Sequence, residues 1–163
     1  MIREISKNDI PECVDVIRKS FQTVADEFGF TIENAPRFTA FATTVERLFY
    51  QLEYEHRLMV ADYDDGDGRI RGYYSLMFLE NSECELSNLC VLPEFRHKKI
   101  GEVLLEDAFV RARNSSCKKM KIGIVEENKK LRKWYEAHGF IHTHAEKFDF
   151  FPFTCGYMER ELS

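Results

Sequence analysis

The segment Val91-Leu92-Pro93-Glu94-Phe95-Arg96-His97-Lys98-Lys99-Ile100-Gly101 constrains the fold of this chain more than any other. An apolar, strand-like run stops at a proline, a short basic turn follows, and a helical apolar pattern starts at Ile100. A strand delivered into a helix through so tight a turn aims several unpaired backbone N–H groups at one point. The partial positive charge of the helix start adds to the field there, and this combination holds phosphates. The cluster Arg96, His97, Lys98, Lys99 stands out in a chain whose formal net charge is −5. A solvated charge run would have the same local composition, but its position between strand and helix favours an anion site.

With 163 residues, 44% of them hydrophobic and 14 of them phenylalanine, the chain can bury a real core, and one domain over residues 1–163 is expected. The acidic balance argues against nucleic acid as a partner and mildly favours cationic small molecules. Cys13, Cys84, Cys90, Cys117 and Cys155 are odd in number, form no C-x-x-C pair and sit among apolar neighbours, as buried thiols of a reducing compartment do. Arg3, Glu4, Lys7, Asp9 and Glu12 interrupt any signal-peptide run, and no stretch reaches the ~18 apolar residues of a membrane span. A soluble cytoplasmic protein without membrane contact is the expectation.

Residues 1–6 read as a strand, with Asn8 as the N-cap of a helix carrying Ile10, Cys13, Val14, Ile17, Phe21, Val24 and Phe28 at helical spacing and ending at Gly29. Phe41, Val45, Leu48, Phe49 and Leu52 mark a second helix. Strands over 58–63 and 70–79 flank Asp64-Asp65-Gly66-Asp67-Gly68, a hairpin turn by its Asp-Gly chemistry. Its spacing excludes a calcium loop, because Tyr73 stands where a closing glutamate is needed. A strand over 83–92, a helix from Ile100 closed by Asn114-Ser115-Ser116, a strand over 120–125, a helix over 128–138 ended by Gly139, and two strands around Pro152 complete the chain. The order β-α-α-β-β-β-α-β-α-β-β implies a layered α/β or α+β domain, its six- to seven-stranded sheet largely antiparallel and flanked by about four helices.

Leu86-x-x-Leu89-x-Val91-x-Pro93-x-x-Arg96-x-x-Lys99-x-Gly101 resembles the acetyl-CoA signature of the GNAT superfamily of N-acetyltransferases, and Asn128 through Tyr135 to Gly139-Phe140 is similar to that family's other conserved segment. The resemblance implies that acetyl-CoA is the co-substrate, with no metal. Pantetheine would run beside Leu89, Cys90 and Val91, and the pyrophosphate would sit on the N–H groups of His97, Lys98, Lys99, Ile100, Gly101 and Glu102 next to Arg96. Asn128 would contact the cofactor, and Tyr135 would protonate the departing CoA sulfur. Lys99 replaces the family's first loop glycine. We expect its backbone in the αR region and its side chain turned outward, so that Lys98 or Lys99 reaches a phosphate oxygen.

Amine acetylation also needs a base and an oxyanion donor. Glu85 is the base candidate, since it falls on the strand where protein-acetylating members of the resembled family carry a catalytic glutamate; deprotonation through water is the other route. A backbone N–H of Cys90 or Val91 would hold the oxyanion. Cys90 as nucleophile is disfavoured, for no histidine is placed to activate it. His142 and His144 alternate on one strand and should face the same side, without a third metal ligand. Phe148, Phe150, Phe151 and Phe153, like Phe28, Phe30, Phe38 and Phe41, serve either as core or as walls of an acceptor pocket, and the C-terminal aromatics lean toward a homodimer. The expected activity is acetyl transfer to a primary amine of a small molecule or protein by direct attack in a ternary complex. The alternative is a non-catalytic acyl-CoA-binding sensor or interaction module of the same fold, toward which only Lys99 points. A P-loop nucleotide site is excluded by the absence of its motif.

Overall fold

The computed structural model describes residues 1–162. The strands are β1 (Ile2–Glu4), β2 (Leu58–Tyr63), β3 (Ile70–Phe78), β4 (Glu83–Val91), β5 (Lys119–Val125), β6 (Ile141–Lys147) and β7 (Thr154–Glu161). They form one sheet in the order β1-β2-β3-β4-β5-β7-β6, antiparallel except at the β4/β5 junction. The helices are α1 (Ile10–Phe28), α2 (Thr39–Ala42), α3 (Val45–Glu53), α4 (Ile100–Asn114) and α5 (Lys129–Ala137). The layered, largely antiparallel architecture agrees with the sequence pattern. Among the described residues no helix is long and apolar enough to cross a membrane.

Period-two alternation sorts side chains between two layers. On β2 and β3, Met59, Ala61, Tyr63 and Tyr73 pack with Ile10, Cys13, Val14 and Ile17 of α1 and with Leu48 of α3. Val60, Tyr74 and Leu76 turn to the other face, against Leu104, Leu105, Ala108 and Phe109 of α4. A third cluster joins Ala25 at the end of α1 to Phe30, Phe38, Val125 and Phe153.

Several local expectations are corrected. The start of α1 is fixed by Ser6 and Asp9 rather than Asn8: the Ser6 N–H donates to the Asp9 carboxylate at 2.9 Å, and Asn8 falls inside a 3₁₀ turn over Lys7–Asp9. The single helix expected around Phe41 to Leu52 is two, because Thr43 is extended and the Thr44 hydroxyl caps a new helix by accepting from the Arg47 N–H at 3.1 Å. Cys155 is only half-buried, whereas the other four cysteines are buried as expected. His142 and His144 do not share a face. The register slips between them, so His142 lies opposite Met158 and His144 opposite Tyr157. His142 Nε2 lies 2.8 Å from Glu126 Oε2, whereas the His144 ring stacks on Tyr157.

Two irregularities in the sheet create the space for a site. β4 and β5 are paired only through Glu83–Glu85 and Lys119–Lys121; β5 stays with β7 as far as Val125, so the strands part toward their C-terminal ends. In β4 the register with β3 moves from Ser75↔Ser87 to Tyr73↔Cys90, which sets Asn88 and Leu89 opposite Tyr74 alone. Asn88 takes a φ of 57°, the left-handed geometry of a bulge, and the strand is re-aimed there.

Candidate active site

Two cavities lie where β4 and β5 part. The larger, about 670 Å³, runs from Leu89, Cys90 and Val91 along the loop to Gly101 and Glu102, between α1 (Phe21, Val24) and α5 (Leu131, Trp134). The smaller, about 320 Å³, is bounded by Glu85 to Leu89, Ile122 to Val125, Phe38, Phe153 and Tyr157. Phe21, Val24, Leu89, Asn128, Leu131 and Tyr135 line both. The two spaces therefore meet at Tyr135.

After β4 the chain makes a 3₁₀ turn over Pro93–Phe95, then the basic loop, and enters α4 at Ile100. Among the described residues none of the amides from His97 to Glu102 donates to an acceptor within the chain, and α4 has no side-chain cap. These unpaired donors border the larger cavity, as a helix start that takes an anion requires. The Ile100 side chain turns into the core, so its amide is the part that faces the loop.

The backbone of Lys99 is not αR. It lies at φ 65°, ψ 12°, in the left-handed region, and His97 also has a φ of 65°. The chain needs this geometry to reverse into α4, so a position where glycine is unstrained carries a lysine under strain. The Lys98 ammonium lies over the Phe95 ring at 5.6 Å. Arg96 borders the cavity but spends its guanidinium on the protein, donating to Val91 O at 3.1 Å, to Thr23 Oγ1 at 2.9 Å and to Ser20 O at 2.9 Å. It ties the loop to α1.

Asn128 is the N-cap of α5, its Oδ1 accepting from the Leu131 N–H at 3.2 Å, which fixes the start of the helix that carries Tyr135. Tyr135 is 6% exposed, its ring held edge-on by Phe140 and Trp134. Burial, with a smaller contribution from Cys90, raises the pKa of its phenol above the ordinary tyrosine value, so the phenol keeps its proton throughout the neutral range. Burial also pushes the Cys90 thiol up to about 12, which keeps it protonated near neutrality. Glu85 borders only the smaller cavity, half-buried, its nearest polar contact the Ser87 hydroxyl at 3.5 Å. The sequence reading assigned no site role to Leu131, Trp134, Phe21 and Val24. Their helical apolar spacing is the same for a core face and a cavity wall, and only packing separates the two.

A loop with unpaired amides beside one cavity, and a buried phenol shared with a second, give the site room for two ligands side by side. The sequence model of the acetyltransferase (GNAT) family matches residues 25–140, and the chain belongs to that family. Solved structures that share the fold include the PaiA N-acetyltransferase of Thermoplasma acidophilum in complex with coenzyme A, 20% identical at a TM-score of 0.82, with 99% of this chain and 98% of that one covered. The ribosomal-protein-S18-alanine N-acetyltransferase of Escherichia coli is 14% identical at 0.77, covering 100% and 94%. The ribosomal-protein-alanine N-acetyltransferase of Brucella melitensis is 19% identical at 0.75, covering 99% of each chain.

Proposed function

We propose that the protein moves acetyl from acetyl-CoA to the primary amine of an acceptor by direct attack in a ternary complex. The reading rests on one observation above all: Tyr135 lies on the shared wall of two cavities, one bordered by unpaired amides and the other by a carboxylate that, among the described residues, makes no ion pair. The pyrophosphate sits on the amides from His97 to Glu102, and the pantetheine runs past Leu89, Cys90 and Val91 to bring the thioester to Tyr135. The acceptor enters through the smaller cavity, where Glu85 takes the proton of the incoming ammonium. The free amine attacks the thioester carbonyl, and a backbone N–H of Cys90 or Val91 holds the oxyanion. On collapse the C–S bond breaks, the Tyr135 hydroxyl gives its proton to the CoA sulfur, and the extra proton left on the former amine nitrogen returns through water to the tyrosinate, leaving the neutral amide.

Tyr135→Phe tests this. Thiol release from acetyl-CoA with an amine acceptor should fall about 100-fold, the usual size of a general-acid contribution. Stabilisation by CoA should persist, at about 2.7 kcal/mol when the ligand stands at ~100 times its Kd. Unchanged turnover would remove Tyr135 from the mechanism, and a wild-type protein that gains no stability from CoA would remove the whole reading.

A further inference from the structure

Two charged side chains of opposite sign line the smaller cavity, and among the described residues neither makes an ion pair. Glu85 comes from the sheet, on β4, and is half-buried; Arg37 is exposed and comes from the segment just before α2. Lys121, which is in register with Glu85 across the β4/β5 junction, is bound instead to Glu83 at 2.9 Å. Among the described residues Arg37 makes no ion pair; its guanidinium stands over the exposed Phe150 ring at 4.3 Å, a contact that leaves its five donors free for an anion. Between the two charges the wall is largely apolar and aromatic: Phe38, Phe151, Phe153, Leu86 and Ile124. A volume of about 320 Å³ is at the small end of ligand cavities and suits a molecule of amino-acid size.

We propose that the acceptor is amphoteric: an α-amino acid with an apolar side chain, its carboxylate held by Arg37 and its amine directed to Glu85. A polyamine, which the acidic composition of the chain would favour, meets a cation at the rim of this cavity and is selected against. A guanidinium fork matches a carboxylate in a way a lysine cannot, so Arg37 selects by geometry as well as by charge. The proposal rests on the reading of this cavity as the acceptor side, but it concerns binding and not proton transfer.

The test is therefore an equilibrium titration on protein saturated with CoA, which reads affinity whether or not turnover occurs. Leucine, methionine and phenylalanine are each compared with their amides, which keep the amine and side chain but lose the anion, and with spermidine. At least one of the three acids should bind at least tenfold more tightly than its amide, and spermidine should bind more weakly than that acid. Arg37→Gln should abolish the preference for acid over amide, and Arg37→Lys should restore part of it. Equal or tighter binding of the amides or of spermidine by the wild type would overturn the proposal, and so would an acid preference that survives Arg37→Gln. Failure of Tyr135→Phe to slow turnover leaves this titration unaffected, so the two readings fail separately.

Discussion

Arg96 donates from its guanidinium to the hydroxyl of Thr23 at 2.9 Å, a bond between residues 73 apart in the chain that fastens the loop before α4 to the middle of α1. The same side chain holds the Val91 carbonyl, so the end of β4, the loop and α1 keep one relative position. An arginine that belongs to a basic run in the sequence thus acts as a strut.

Arg96→Met should leave a folded protein with roughly 2 kcal/mol less stability, the scale of losing hydrogen bonds from a charged donor, and a raised KM for acetyl-CoA, because the amides lose their fixed backing. Urea denaturation and initial rates measure the two effects. A variant with wild-type stability would show that the strut carries no load.

Lys99→Gly relieves a left-handed residue whose strain is about 1–2 kcal/mol, offset by about 0.5–1 kcal/mol for the greater freedom of glycine in the unfolded chain. The variant should be slightly more stable and should bind CoA at least as tightly as the wild type, even though it has lost a positive charge. Lys99→Val should be destabilised by about 1–2 kcal/mol, because a β-branched side chain tolerates this backbone least. If CoA affinity falls in Lys99→Gly, the ammonium rather than the backbone is what the phosphate uses.

At Gly101 a Cβ would meet only Trp134 and Val91, both at 3.8 Å, and φ there is not positive. Gly101→Ala should therefore fold and bind CoA within a few-fold of the wild type. Gly101→Glu places a carboxylate among the amides, where like-charge repulsion costs several kcal/mol, and should abolish binding while the protein stays folded. Calorimetry with CoA separates the two, and binding that survived the glutamate would move the pyrophosphate elsewhere.

The pH profile of kcat/KM should rise with pH as the acceptor amine loses its proton, and should show no descending limb from Tyr135 up to the ordinary tyrosine value of 10.0. The sign follows from burial, which raises the pKa of the phenol and keeps the donor protonated where an exposed tyrosine would begin to ionise. A descending limb near pH 8 or 9 that disappears in Tyr135→Phe would contradict this assignment.

The same proximity logic applies at the other end of the sheet. Burial would raise the pKa of Asp9, but the Ser6 N–H, the Tyr63 hydroxyl at 2.8 Å and Arg3 outweigh it and hold the carboxyl below its usual 3.8. A depressed carboxylate contributes stability above its unfolded pKa that is lost as pH falls through the folded one. Acid unfolding should therefore begin at higher pH in Tyr63→Phe, followed by circular dichroism between neutrality and pH 2. An unshifted acid midpoint would deny the pair this role.

The elements most visible in the sequence were those whose cause is local. Proline, a basic turn and a change of apolar period mark the passage from β4 to α4; Asp-Gly chemistry marks the β2/β3 turn; and Asn128 and Tyr135 lie two turns apart on α5 by spacing alone. Such signals act over a few residues, so the order of strands and helices, and the passage through a tight loop into α4, could be read from the chain itself.

What depends on partners distant in the chain was decided only on folding. Nothing in the side chain of Lys99 prefers φ 65°; the closure of the loop against α1 imposes it. The bulges at Asn88 and between His142 and His144 arise from pairing with β3 and β7, and an alternating pattern read without its partner strand misses them. The parting of β4 from β5, the joining of two cavities at Tyr135, and the placing of Arg37 and Glu85 on the lining of one of them bring together residues that no local pattern connects. Local chemistry chose the elements; the packing of the sheet against its helices chose which of their side chains meet.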